Sequence, residues 1–211
     1  MMTYHAVRDR CVIDFGSFDL GASREEILIL LKSKGFQAVD VDIFALARLY
    51  IGSSIYRRCA FMREAPSVVD CASLIKWLYG QRGIWLPRDL ILWLELGVPV
   101  QIDGLGEGDL IFTNGYTNRT IEKIGSVGHV GMVTDCRTII HATNRVGIEE
   151  ISFDFFLRQR KFCCARRIIP KDADLITLSI PPDQEVETSN DIEWILFDMM
   201  KSLNKINQPK R

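Results

Sequence analysis

The spacing of apolar positions changes twice along this 211-residue chain. Near the N-terminus apolar residues recur every three or four positions, which predicts helices over residues 24–34 and 41–50. Ser23, with Glu26 three residues later, gives the first of these helices a capping-box pattern. The same spacing returns near the C-terminus and predicts a last helix over residues 191–203.

The stretch between residues 98 and 168 instead carries short apolar runs separated by glycine-rich turns, which is typical of strands. Strands are predicted here at residues 109–113, 129–134, 138–143 and 162–169. The second and third are joined by a link of a few residues, so we expect an antiparallel hairpin. Together with the helices, this pattern predicts an α+β fold.

One more helix is predicted within the stretch 69–79, and a cysteine stands at its beginning. Asp70 occupies the N-cap position, which puts Cys71 in the first turn. The unpaired N–H groups and the positive end of the helix dipole favour a thiolate there, so Cys71 is a candidate nucleophile. The alternative is that Cys71 packs in the core, as a lone cysteine on an apolar helix face commonly does.

The predicted hairpin carries two of the chain's 3 histidines, His129 and His141. A link centred on Asp135 sets them directly opposite each other, and a link centred on Cys136 makes them diagonal neighbours. Either register puts both imidazoles on one face of the sheet, within roughly 5 to 8 Å at Cβ, whereas a two-residue turn separates them. A thiol nucleophile needs a base and a polar group that orients the base, and Cys71 with the two histidines supplies these parts.

Two other interpretations of these histidines remain open. Each can be an ordinary hydrogen-bonded residue of a sheet. They can also form a mononuclear metal site with Cys71, although no carboxylate ligand is evident and the usual ligand spacing is missing.

The composition is that of a soluble globular protein, with 47% hydrophobic and 25% charged residues. The net charge of −1 predicts no nucleic-acid partner, and we interpret the basic residues between 158 and 167 as a solvated sheet edge. No apolar run is long enough to span a membrane. The N-terminus lacks the pattern of a secretory signal, which predicts a cytoplasmic location with reduced thiols; export by a non-classical route is the alternative.

Four blocks of the sequence resemble, in the same order, those of the NlpC-type cell-wall peptidases, a papain-like family of thiol hydrolases. They are DCASLI at 70–75, LPR at 86–88, GDLIF at 108–112, and the hairpin pair GHVGM at 128–132 with IHA at 140–142. The resemblance covers about residues 52–168. It implies a papain-like α+β fold in which the nucleophile helix packs on an antiparallel sheet, with extra N-terminal helices and a C-terminal helix.

The resemblance also implies roles for individual residues. Cys71 is then the nucleophile, His129 the general base and His141 the polar group that orients it, while the backbone N–H of Cys71 helps to stabilise the oxyanion. Substrate contacts are expected from four further residues, namely Tyr56, Asp70, Ser73 and Gly128. The family commonly has Ser directly after the cysteine, whereas this chain has Ala72.

The implied function is hydrolysis of an amide bond in a peptidoglycan stem peptide, through a Cys-His-His triad and an acyl-enzyme intermediate, with no cofactor and no metal. One alternative is a thiol acyltransferase or amidase of the same fold that acts on a substrate outside the wall. Another is a binding module without catalysis.

The predicted organisation has four segments. They are a helical N-terminal part (1–51), the papain-like core (52–170), an acidic linker (171–190), and a C-terminal helix with its tail (191–211). The last helix is expected to pack on the domain or to bind a protein partner.

Overall fold

A computed structural model describes residues 3–17, 21–115, 127–135 and 137–206 of the chain. Its strands, in chain order, are β1 (Arg10–Asp14), β2 (Gln37–Val39), β3 (Ile55–Tyr56), β4 (Val68–Val69), β5 (Val98–Pro99), β6 (Leu110–Asn114), β7 (Val127–Val133), β8 (Thr138–Thr143), β9 (Gly147–Ser152), β10 (Phe162–Arg167) and β11 (Leu175–Ser179). Its α-helices are α1 (Arg24–Ser33), α2 (Ile43–Arg48), α3 (Cys71–Gln81), α4 (Phe153–Gln159) and α5 (Ser189–Ile206). None of the helices in these ranges has the length and apolarity needed to cross a bilayer.

The chain divides into two compact units that alternate along the sequence. The first combines residues 1–41, 80–85 and 172–211, and the second combines residues 42–79 and 86–171.

The first unit is built on a three-stranded antiparallel sheet in which β11 lies between β1 and β2. Helix α1 begins behind the capping box of Ser23 and Glu26, as predicted. Strand β11 lies in the segment that is predicted to be a linker. The sequence pattern missed this strand because the acidic and proline-rich residues after it dominate the local composition. Apolar side chains from the sheet, α1 and α5 form the core of this unit: Cys11, Ile13, Ile27, Leu31, Phe36, Leu178, Ile192 and Leu196.

The second unit contains a six-stranded antiparallel sheet in the order β5-β10-β6-β7-β8-β9. The four strands predicted from the sequence are β6, β7, β8 and β10, and the α+β class is confirmed. Strand β9 was not predicted, because Glu149 and Glu150 interrupt the apolar alternation between Ile148 and Ile151. Helix α4 was also missed; it follows β9 directly, with Ser152 as its N-cap.

The hairpin of β7 and β8 adopts one of the two registers that the sequence left open. Met132 pairs with Ile140 and Val133 with Ile139, which is the register centred on position 136 and makes the two histidines diagonal neighbours. The residue at that centre, Cys136, lies outside the described ranges. Both imidazoles therefore lie on the same face of the sheet.

Candidate active site

Helix α3 begins at Cys71, directly behind a reciprocal cap. Asp70 Oδ1 accepts a hydrogen bond from the Ser73 N–H at 2.6 Å, and Ser73 Oγ accepts one from the Asp70 N–H at 2.7 Å. The other carboxylate oxygen of Asp70 accepts a hydrogen bond from the Arg88 guanidinium at 2.5 Å. Both cap side chains are buried, so they fix where the helix starts and how Cys71 is presented.

His129 on β7 and His141 on β8 contact each other on one face of the sheet. His129 Nε2 lies 3.0 Å from His141 Nδ1, and the two rings are nearly perpendicular. Phe156 of α4 packs against both rings, with centroid distances of 6.0 Å to His129 and 5.0 Å to His141. Gly131 leaves room for this packing, since a Cβ there would lie 2.4 Å from Ile139 Cγ2 and 3.4 Å from His141 Cβ.

The thiol of Cys71 lies against the backbone of β7 beside His129. It forms backbone hydrogen bonds with Val130, the residue that follows His129, and with Ala72 of its own helix. Tyr56 on β3 lies near the same thiol: burial raises the pKa of its phenol, and the charges of Cys71 and Asp70 raise it further. The structure thus brings His129 and His141 into direct contact, and it places Cys71 near Tyr56 and against the backbone of the residue next to His129.

A buried arginine lies beside these groups. Arg160 directly follows α4, four residues after Phe156, and only 6% of its surface is exposed. Its positive charge acts on Cys71, on both histidines and on Tyr56. The interpretation of residues 158–167 as a solvated edge is therefore wrong for Arg160, because the unpredicted helix α4 turns this side chain inward.

Burial determines the resting charges of the site. Burial, and then Asp70, raise the pKa of the Cys71 thiol to about 11, although the backbone hydrogen bonds and Arg160 oppose this change. Burial, and then Arg160, lower the pKa of His141 to about 3, and the same two causes hold the pKa of His129 well below its usual value. At neutral pH the resting site therefore contains a thiol and two uncharged imidazoles, not the thiolate expected at a helix N-terminus.

His141 has a second polar neighbour that sequence analysis missed. Glu149 is its partner across β8 and β9, and Glu149 Oε1 lies 3.3 Å from His141 Nε2. That distance is a contact between a carboxylate and an uncharged imidazole, but within the described part of the chain Nε2 has no partner that meets hydrogen-bond geometry. Finding Glu149 from sequence would have required the register of β9, a strand that the pattern did not reveal.

Two other predicted substrate-contact residues, Ser73 and Gly128, take part in the packing of the fold. Ser73 is fully buried in the cap of α3. Gly128 allows β7 to approach Gly115 closely, since a Cβ at Gly128 would lie 2.7 Å from the Gly115 nitrogen. Within the described ranges, no group of three or more His, Cys, Asp or Glu side chains is arranged to hold a metal ion.

Sequence comparison assigns a family to the region that contains these residues. The model of the NlpC/P60 family matches residues 59–167, just over half of the chain. Two proteins of Corynebacterium glutamicum, from strains ATCC 13032 and R, are named probable endopeptidases and are each 33% identical over 92 residues. The match covers 43% of this chain and 39% and 38% of theirs, so the chain spans about two fifths of the length of these relatives.

Solved structures agree at the level of the fold. NlpC2 from Trichomonas vaginalis superimposes with a TM-score of 0.50 at 22% identity, over 62% of this chain and 48% of that one. NlpC1 from the same organism gives a TM-score of 0.50 at 20% identity, over 60% of this chain and 42% of that one.

Proposed function

The chain belongs to the NlpC/P60 family, and from this premise we propose that it is a cysteine hydrolase that cleaves an amide bond through an acyl-enzyme intermediate. In this proposal Cys71 is the nucleophile, His129 the general base and His141 the group that orients the base. The observation that supports it most is the contact of the two histidines, with His129 Nε2 3.0 Å from His141 Nδ1. The Cys71 sulfur is hydrogen-bonded to the backbone of Val130, the residue that follows His129.

The reaction begins with transfer of the thiol proton to His129. Nε2 of this ring is engaged by His141, so Nδ1 is the nitrogen left to accept the proton. Because the thiol and the imidazoles rest uncharged, this transfer accompanies the attack of the sulfur on the substrate carbonyl carbon. The backbone groups of Val130 and Ala72 that contact the sulfur stabilise its negative charge as it forms.

The attack produces a tetrahedral oxyanion, for which the backbone N–H of Cys71, at the start of α3, is the donor that we propose. His129 then donates its proton to the leaving amine, the C–N bond breaks, and the acyl group remains on the sulfur as a thioester. A water that is deprotonated by His129 attacks the thioester. This step releases a carboxylic acid and returns the proton to the sulfur.

We propose a peptidoglycan stem peptide as the substrate, with an internal amide bond as the point of cleavage. The family membership supports this choice, as does the probable-endopeptidase name of the Corynebacterium glutamicum relatives. Ala72 stands where the family commonly has serine, so we expect the contacts with the amino end of the peptide to differ from the family pattern.

Digestion of purified muropeptides, followed by mass spectrometry, tests this proposal. We expect one amide bond to be hydrolysed, with a new amine and a new carboxylate in equal amounts. Cys71→Ala should lower the rate by at least about 10³-fold, since no other group replaces the nucleophile. The matched control is Cys59→Ala, which removes an exposed thiol and should leave the rate unchanged.

Two results would contradict the proposal. One is hydrolysis that survives in Cys71→Ala. The other is inactivity on every muropeptide together with Cys71-dependent acyl transfer from a lipid substrate, which would favour a transferase of the same fold.

A further inference from the structure

Glu149 is placed to act on the base of the proposed reaction through His141. The two residues are direct partners across β8 and β9, and 3.3 Å separates Glu149 Oε1 from His141 Nε2. On the other side of the same imidazole, His141 Nδ1 lies 3.0 Å from His129 Nε2. The His141 ring therefore lies between a carboxylate and the imidazole that is proposed to act as base.

An uncharged imidazole carries one N–H, so the two histidines have to share their protons in a definite way. A single proton occupies the contact between His129 Nε2 and His141 Nδ1. If it belongs to His129, then Nδ1 of His129 is bare and can accept the thiol proton. If it belongs to His141, then the His129 proton is on Nδ1, and this ring cannot act as base.

A carboxylate next to His141 Nε2 favours the first arrangement. An ionised carboxylate only accepts hydrogen bonds, so it stabilises a proton on His141 Nε2 and repels a bare nitrogen there. With its proton on Nε2, His141 presents a bare Nδ1 and must accept the proton of His129. Within the described chain His141 Nε2 is buried without a hydrogen-bond partner, and the carboxylate oxygen Oε1 of Glu149 lies 3.3 Å from it.

The surroundings of Glu149 suit this role. Its side chain is 28% exposed, so the carboxylate keeps part of its hydration. The next residue, Glu150, points to the opposite face of the sheet, where it pairs with Arg48 at 2.8 Å. Strand β9 thus directs one of two consecutive glutamates to the histidine pair and the other away from it.

We propose that Glu149 is a positioning residue that extends the line of Cys71, His129 and His141 by a fourth group and selects the histidine tautomers in which His129 can accept the thiol proton. This inference rests on the proposed function for its kinetic consequence. Its effect on the tautomers does not depend on any substrate.

The test compares Glu149→Gln with Glu150→Gln. A glutamine has the same shape, but its amide can donate or accept, so it selects neither tautomer. We expect kcat for stem-peptide hydrolysis to fall by about 10- to 100-fold in Glu149→Gln, with KM changed by less than about twofold. Glu150→Gln should leave both constants near the wild-type values, and thermal unfolding checks that both variants are folded.

Nitrogen-15 NMR of the histidine rings supplies the readout that a merely structural role would not change. In the wild type we expect His129 and His141 each to carry the ring proton on Nε2. In Glu149→Gln the Nδ1–H form of His141 should appear. Unchanged ring spectra in Glu149→Gln would overturn the inference, as would an unchanged kcat. Inactive wild-type protein whose ring spectra still respond to Glu149→Gln would contradict the proposed function and support the positioning role.

Discussion

The resting charge of Cys71 can be measured by its rate of alkylation with iodoacetamide, because only the thiolate reacts. Burial raises the pKa of this thiol to about 11, compared with 9.0 for an ordinary thiol. At pH 7 an ordinary thiol is then ionised to about 1% and Cys71 to about 0.01%. We therefore expect Cys71 to react about 100-fold more slowly than an ordinary thiol, which corresponds to about 3 kcal/mol.

The perturbation is a change of pH, and the assay is mass spectrometry of peptides after timed labelling. The rate constant at Cys71 should rise about tenfold for each unit between pH 7 and pH 10. Cys11 is an internal control for a buried thiol away from the candidate site, since burial raises its pKa to about 12 and it lies in the other unit. Denaturation in guanidinium should remove the difference between these thiols and an ordinary one. Fast labelling of Cys71 that is already independent of pH near 7 would refute the reasoning, because it would mean a resting thiolate–imidazolium pair.

Three further predictions concern the surroundings of the histidines. Arg160→Met removes a positive charge that lowers the pKa of both imidazoles, so the acidic limb of the kcat/KM profile should move to higher pH, while the exposed Arg158→Met should leave it in place. Unfolding allows the buried, uncharged His141 to take up a proton, so the free energy of unfolding should be highest above pH 6.5 and should fall by up to about 5 kcal/mol as the pH drops towards 3. Urea unfolding at several pH values should show a weaker pH dependence in His141→Asn, and an identical slope would contradict this. Gly131→Ala should cost about 1–3 kcal/mol in urea unfolding because its Cβ overlaps the packed core, whereas Gly104→Ala, with no neighbour closer than 3.8 Å, should be nearly neutral; equal effects would contradict the packing argument.

Local signals carried most of what could be predicted about the site. The cap of α3 depends on Asp70 and residues within three positions of it, so spacing alone located the start of the helix at Cys71. The hairpin likewise joins neighbouring strands, and the registers centred on Asp135 and on Cys136 both put His129 and His141 on the same face. The structure chose between them.

The features that were missed depend on contacts beyond the reach of a local pattern. Glu149 meets His141 only through the pairing of β9 with β8, and the two adjacent glutamates concealed that strand. Arg160 is buried because α4 packs on the same sheet, whereas in sequence it belongs to a basic run. The prediction of a thiolate at Cys71 took only the start of the helix into account, and burial by the surrounding elements outweighs that effect on the pKa of the thiol.

The proposed role of Cys71 is tested most directly by the mass of the intact chain during turnover. The chain is mixed with a stem peptide, quenched in acid within milliseconds to seconds, and the adduct is located by peptide mapping. The mechanism predicts a transient thioester on Cys71 that carries the acyl half of the peptide, and no adduct in His129→Ala. Turnover by the wild type without any adduct on Cys71, together with the same turnover in Cys71→Ala, would contradict it.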